Sequence, residues 1–260
     1  MTHTFLSTLL FLSLSFTLAV PLYGAIKISG KVTDYQGNPV DSCNVMVYNP
    51  DFTVAYETLS DQDGNYTIEN VPEGKYAAIC AMRLKEYPRM NKVAPELMNL
   101  EFWAWNLIAD RDIDLDIRYG KLELYGTTAF SEFGGRPELI IYTRAMSLAK
   151  ALAYVNINDK ASAEKETNIT VSPEFMEFEV KSDNTPLKIL SVQHLSLPNS
   201  NGNSLNDDCY IIQTELPVDF KRGGDKPFEI RVIGHNTQYD EWGENVYYLM
   251  PSNFTSAKKK

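Results

Sequence analysis

Histidine is scarce in this 260-residue chain, and of its three copies only His194 and His235 lie beyond the N-terminal leader. Neither opens an HxxE or HExxH zinc pattern; they read His-Leu-Ser-Leu and His-Asn-Thr-Gln. No GxSxG elbow, no P-loop and no GxGxxG occurs, so the common sequence signatures of hydrolases, nucleotide binders and dinucleotide binders are missing. Basic residues are outnumbered, with 24 Lys and Arg against 34 Asp and Glu and a net charge of -10. That balance excludes a nucleic-acid partner, because affinity for phosphate backbones comes from clustered Lys and Arg. Only Cys43, Cys80 and Cys209 supply thiols, and Cys209 has no metal-ligand spacing to anything. No cofactor is expected. Past residue 20 there is no apolar run long enough to span a bilayer, which takes about 20 residues.

What is present begins with residues 1–24, which contain no Asp, Glu, Lys or Arg, and with an apolar stretch from Phe5 to Val20 that ends at Pro21. This reads as a signal peptide over residues 1–25, cleaved near Gly24 or Ala25, although the usual basic start is missing. A secreted or periplasmic mature chain with no transmembrane segment follows. The net charge falls on that mature part, and Lys258, Lys259 and Lys260 form a basic, solvated tail over 257–260. The tripeptides starting at Asn65, Asn168 and Asn253 match the glycosylation acceptor pattern, which matters only in a eukaryotic secretory pathway.

From Ile28 to Tyr76 apolar residues alternate at Ile28, Gly30 and Val32, at Cys43, Val45 and Val47, and at Tyr66 and Ile68. Period-two alternation in short runs predicts half-buried antiparallel strands. The turns between them are marked by Gly37-Asn38-Pro39 and Asp63-Gly64, where glycine tolerates positive φ and proline presets the reversal. The pattern Gly30-x-Val32-x-Asp34-x-x-Gly37-x-Pro39-Val40, then Val45-x-Val47, Ser60-Asp61-x-Asp63-Gly64-x-Tyr66-x-Ile68 and Val71-Pro72-x-Gly74-x-Tyr76 resembles the carboxypeptidase regulatory-like domain. The resemblance implies a transthyretin-like β-sandwich over 26–118. It implies no peptidase activity, because in metallocarboxypeptidases the zinc ligands sit in a separate catalytic domain, and a fold does not carry a function with it.

If that fold holds, Cys43 shares the phase of Val45 and Val47, and Cys80 that of Tyr76, so a Cys43–Cys80 disulfide in one core is one expectation. Two buried free thiols are the other. Trp103 and Trp105 fall on one face of a strand about 7 Å apart, a spacing suited to a sugar-stacking platform or to packing. Asp110, Asp112, Asp114 and Asp116 alternate with Arg111, Ile113, Leu115 and Ile117, which predicts a strand with an acidic, solvated face. A calcium site is set aside there, since one strand cannot close a shell of six to eight oxygens. Around Asp61 and Asp63 the calcium-loop register fails, with Leu59 at the first ligand position and Asn70 at the twelfth.

Residues 119–256 read as a second sandwich, immunoglobulin-like, with strands at Lys121–Thr127, Glu138–Thr143, Phe175–Val180, Lys188–His194, Tyr210–Leu216, Phe228–Ile233 and Val246–Leu249. Met146–Tyr154 is either a short helix or an edge strand, and the loops 156–168 and 198–208 are polar. The expected fold is therefore all-β, two β-sandwich domains in tandem. The expected function is an exported, non-catalytic binding or assembly module for a protein or polysaccharide partner, with Trp103 and Trp105 as ligand-binding candidates and no catalytic or metal residues assigned. A structural spacer pair and a glycan-processing enzyme using two carboxylates are the alternatives.

Overall fold

The structure is a computed structural model that describes residues 24–90, 92–132, 134–155, 169–196, 208–221 and 223–251. The signal-peptide expectation up to residue 23, the polar loops 156–168 and 198–207, the tail 257–260 and the acceptors Asn168 and Asn253 lie outside the described residues. In chain order the first unit holds β1 (Ala25–Thr33), β2 (Asn44–Tyr48), β3 (Val54–Leu59), β4 (Asn65–Pro72), β5 (Gly74–Lys75), β6 (Ala78–Met82), β7 (Phe102–Trp105), β8 (Ile108–Ala109), β9 (Ile113–Asp114) and β10 (Ile117–Arg118). The second holds β11 (Leu122–Glu132), β12 (Glu138–Ser147), helix α1 (Leu148–Val155), β13 (Met176–Ser182), β14 (Thr185–Leu187), β15 (Ile189–Leu195), β16 (Cys209–Thr214), β17 (Phe228–Asn236) and β18 (Glu241–Leu249).

The fold is all-β, and the two sandwich units share a sheet. Eight strands run in the order β14-β13-β17-β18-β7-β6-β2-β3, and the seam is a parallel pairing of β18 with β7 that sets Asn245 against Trp103, Val246 against Ala104 and Tyr247 against Trp105. Alternation along these strands gives the sheet two buried faces. One face carries Val45, Val47, Ile79, Ala81, Phe102, Ala104, Val246 and Tyr248 into the first core, under β1, β4, β9 and β10. The opposite face carries Phe228, Ile230, Val232 and Leu249 into the second core, under the β11-β12-β16-β15 sheet. β18 therefore feeds both cores, Val246 and Tyr248 to one side and Leu249 to the other. The expected boundary at 118–119 falls between β10 and β11, and the shared sheet crosses it through this last strand.

Glycine permits the closest crossing. A Cβ on Gly243 of β18 would lie 1.9 Å from the Leu122 carbonyl oxygen of β11, so only hydrogen fits between these backbones. Around the seam, Glu244 is fully buried and accepts hydrogen bonds from the Arg118 backbone at 2.9 Å, Arg118 Nη2 at 2.6 Å and Arg231 Nη1 at 2.5 Å. Arg231 Nε donates to Glu229 at 3.0 Å. Burial works against the charge on Arg231, but Glu244 and Glu229 together outweigh it and hold the guanidinium above its ordinary value.

Three sequence expectations are corrected. The Asp110–Asp116 stretch is not one strand: β9 and β10 are two-residue parallel pairings with β1, and Asp112 and Asp116 accept the backbone N–H groups of Lys27 and Lys31 at 2.8 Å each. These carboxylates act as ladder acceptors in place of peptide carbonyls, so part of the acidic row is spent on the sheet. Met146–Tyr154 is neither helix nor strand throughout: β12 runs to Ser147 and α1 starts at Leu148. Cys43 and Cys80 are free buried thiols. Met46 opposes Cys80 across β2 and β6, so Cys80 lies on the face opposite to that of Cys43, Val45 and Val47, and no disulfide joins them. Cys209 is likewise a free buried thiol. The Asp61 turn is a hairpin corner, with Asp61 Oδ1 accepting from the backbones of Asp63 at 2.9 Å and Asn65 at 2.8 Å.

Candidate functional site

The second sandwich layer covers only part of its face of the shared sheet. Beyond that layer, on the same face, Met46 of β2 and Ala78, Cys80 and Met82 of β6 are buried, and it is beside them that Trp103 and Trp105 of β7 emerge. The FWAW sequence of β7 alternates, Phe102 and Ala104 going to the first core and the two indoles going the other way, half-buried. The rings do not lie side by side as a flat platform. Side-chain rotation closes the strand spacing to a centroid distance of 4.8 Å at 13°, so the indoles stack on each other. Tyr48 of β2 packs on Trp103 at 5.7 Å, and Phe52 packs on Trp105 at 6.2 Å.

Phe52 reaches that position from the turn between β2 and β3. Asp51 Oδ1 accepts the Thr53 backbone N–H at 3.1 Å and the Thr53 hydroxyl at 2.7 Å, and Phe52 N donates to Asn49 at 2.9 Å. This folds the turn so that Phe52 has φ 63°. A bulky side chain rarely adopts that left-handed conformation, which stores about 1–2 kcal/mol of strain. Phe52 is nevertheless 56% exposed, so burial of its own ring repays little of that. Beside Trp105 a shallow depression of about 370 Å³ is walled by Phe52, Tyr76, Asn106, Thr127, Thr128 and Tyr247. Aromatic walls with hydroxyl and amide groups between them suit a polar ring with an apolar face.

Behind Trp103 lies a feature that strand patterns do not reveal. Glu101 accepts hydrogen bonds from the Tyr87 hydroxyl and the Trp103 indole, and Cys80 Sγ lies 3.7 Å from its Oε2. Glu123 of β11 is buried beside it, at 6% exposure. Burial first, and the neighbouring Glu101 second, push the Glu123 carboxyl up to about 8. Burial also raises Glu101, against the pull of its three donors. Only their positions before β7 and on β11 bring the two acids together, and nothing in their local sequence marks them. Neither lines any of the depressions described here.

Among the described residues, no group of three or more His, Cys, Asp or Glu converges to hold a metal. His194 pairs with Asp208 at 3.2 Å, and His235 with Asp240 at 2.9 Å while stacking on Trp242 at 3.9 Å. The two histidines thus sit in separate pairs. No described helix is long and apolar enough to cross a membrane.

Residues 27–82 match the family model described as the carboxypeptidase regulatory-like domain, which agrees with the pattern read in the N-terminal stretch. The match spans less than half of the chain. No curated protein matches. Among solved structures the chain is similar to BcpA, the major pilin subunit of Bacillus cereus, at 8% identity over 86% of this chain and 69% of that one, with a TM-score of 0.26. It is similar to bovine butyrophilin at 8% identity over 87% and 99%, TM-score 0.27. The full-length major pilin SpaD from Corynebacterium diphtheriae gives 11% identity over 86% and 65%, TM-score 0.22. TM-scores of this size lend no weight to what those proteins do.

Proposed function

We propose that this chain is an exported, non-catalytic recognition module that binds polysaccharide at the aromatic cluster on the face of its shared sheet opposite the first core. The carrying observation is Phe52, held at φ 63° and largely exposed against Trp105 at the wall of the depression. Strain kept at an exposed aromatic that gains little packing of its own points to a use outside the fold. In this reading a sugar ring lies with its C–H face on Trp105 and Phe52, and its hydroxyls meet Asn106 and Thr128. Trp103 acts through the stack, holding Trp105 upright. Export rests on the apolar leader in the sequence. The non-catalytic reading is supported by the buried position of Glu123, which with Glu101 stays outside the depression beside the aromatic surface.

Intrinsic tryptophan fluorescence tests it, with the purified chain titrated against a panel of soluble polysaccharides. A saturable shift is expected with at least one, weakened on the order of thirtyfold in Trp105→Ala, as loss of an anchoring aromatic removes about 2 kcal/mol. Phe52→Gly should weaken binding while leaving stability unchanged or up to about 1 kcal/mol higher, because glycine relieves the left-handed strain. A flat titration across the panel overturns the reading. The shared sheet favours a second one, a rigid spacer that holds other components at a fixed separation, and a chain that ignores every polysaccharide yet unfolds as one cooperative unit would fit it.

A further inference from the structure

On the other side of the seam the shared sheet runs out from under the first unit's covering strands, and there its face changes character. Where β2, β6 and β7 present valine, isoleucine and alanine, β13 and β17 present Lys181, Glu229 and Arg231. The result is a cleft of about 330 Å³ between the two units. Lys31 and Thr33 of β1, Asp114 of β9, Asp116 and Arg118 of β10 and its approach form one wall, and Asn184 closes the far end. No apolar or aromatic side chain lines it. Its volume equals roughly ten waters of liquid, at the low end for a small-molecule site.

The charges in this cleft divide into a spent and an unspent set. Arg231, Glu229 and Glu244 on the floor and Arg118 reaching down from the wall neutralise one another through the hydrogen bonds at the seam. On the wall Asp116 accepts the Lys31 backbone N–H, and the Asp61 carboxylate lies within electrostatic reach of the Lys31 ammonium, while the Asp114 carboxylate, that ammonium and the Asn184 amide make no side-chain hydrogen bond among the described residues. Among the described residues, Lys181 is engaged only with Glu179, at 3.2 Å on the rim. Asn184 is held there by a tight hairpin turn in which it has φ 67° and Asp183 has φ 44°. The floor supplies no net charge, so a simple anion or a simple cation gains little. A ligand with one charge of each sign meets complementary groups on both counts.

A second observation comes from the depression of about 150 Å³ that continues the cleft and shares Asp114 and Glu229 with it. Tyr248 lines it at 6% exposure, and its buried hydroxyl has no hydrogen-bond partner among the described residues. A buried hydroxyl left in that state costs about 1–3 kcal/mol. A polar ligand, or water carried with it, would supply the missing partner.

We propose that this inter-unit cleft is a binding site for a small zwitterion, its ammonium on Asp114 and its carboxylate on Lys31 with support from Asn184 and Lys181. The site is independent of the aromatic cluster, which opens on the opposite face of the sheet.

Isothermal titration calorimetry of the full chain at low ionic strength provides the test, with a ladder of ω-amino acids from glycine to 6-aminohexanoate as probes. Butylamine and butyrate serve as single-charge controls. Saturable heat is expected for at least one rung of the ladder and for neither control, and Asp114→Asn and Lys31→Gln should each weaken it about tenfold or more. Both residues are at the surface, and unchanged far-UV circular dichroism will establish that the variants fold. No binding by any rung, equal binding of a single-charge control, or binding that survives both substitutions would overturn the assignment. The cleft would then serve only to hydrate the joint between the units.

Discussion

Replacing Glu123 with glutamine removes a carboxyl whose burial sets it far above the ordinary range. In the native chain it releases its proton at about 8, against an ordinary 4.5. Between those two pH values the unfolded chain has already lost the proton and the native chain still holds it. Native stability therefore falls as pH rises, by about 1.4 kcal/mol per pH unit, with the full contribution present below 4.5 and gone above 8. The whole window is worth about 5 kcal/mol, an upper limit because water reaching the site as it charges would relax the penalty. Glutamine keeps the shape and never charges, and it also takes away the like charge facing Glu101. Urea denaturation of both proteins across a pH series is the assay. The variant should match the wild type to within about 1 kcal/mol near pH 5 and exceed it by several kcal/mol near pH 9. Parallel stability curves over that range would refute the reasoning, and with it the burial of Glu123 between β11 and Glu101.

Gly243→Ala should destabilise the chain by several kcal/mol, because its Cβ would sit 1.9 Å from a backbone oxygen that cannot step aside, whereas Gly74→Ala, with nothing within 4 Å, should be close to neutral; thermal unfolding compares them. Glu244→Ala leaves the Arg231 guanidinium buried with half its partners and should cost about 3–5 kcal/mol, while the double change Glu244→Leu with Arg231→Met should recover most of that loss in a double-mutant cycle. Burial pushes the Cys43 thiol up to about 12 and raises Cys80 well above its ordinary value, so a thiol reagent at neutral pH should leave both unmodified in the native protein and react with both after denaturation. A mass two hydrogens lighter in the folded chain would contradict the separate faces assigned to those cysteines.

The strands were legible because their signal is local. Phe228–Ile233 alternates apolar and charged residues for most of its length, Glu138–Thr143 is a short apolar run bounded by polar residues, and β17 and β12 contain them with only their ends extended. Gly37 and Gly64 announce their turns by the conformation they permit, and both have positive φ. Trp103 and Trp105 could be placed on one face by counting residues, but whether their rings would lie flat or stack depends on Tyr48 and Phe52, which arrive from another hairpin. The pairing of β18 with β7 was invisible for a stronger reason. It joins residues some 140 positions apart in the chain, Asn106 donating to the Tyr248 carbonyl beside it, and no period in either segment encodes its partner. The Glu101–Glu123 pair and the charged cleft arise from that same joining. The Cys43–Cys80 expectation erred by assigning Cys80 the phase of Tyr76 without knowing which phase of β6 faces the first core; Ile79 and Ala81 hold that position.

That the first core is completed by Val246 and Tyr248 has a consequence in time. A chain that emerges from its N-terminus builds β1 to β7 early, but the sheet those strands form ends in an open β7 edge until β18 arrives. Unpaired edges of this kind recruit other chains, and pairings between distant segments form slowly. The early part of the molecule is thus obliged to wait for nearly the last residues described before it can close. Truncating the chain anywhere before β18 would release a sticky intermediate and not a smaller stable protein.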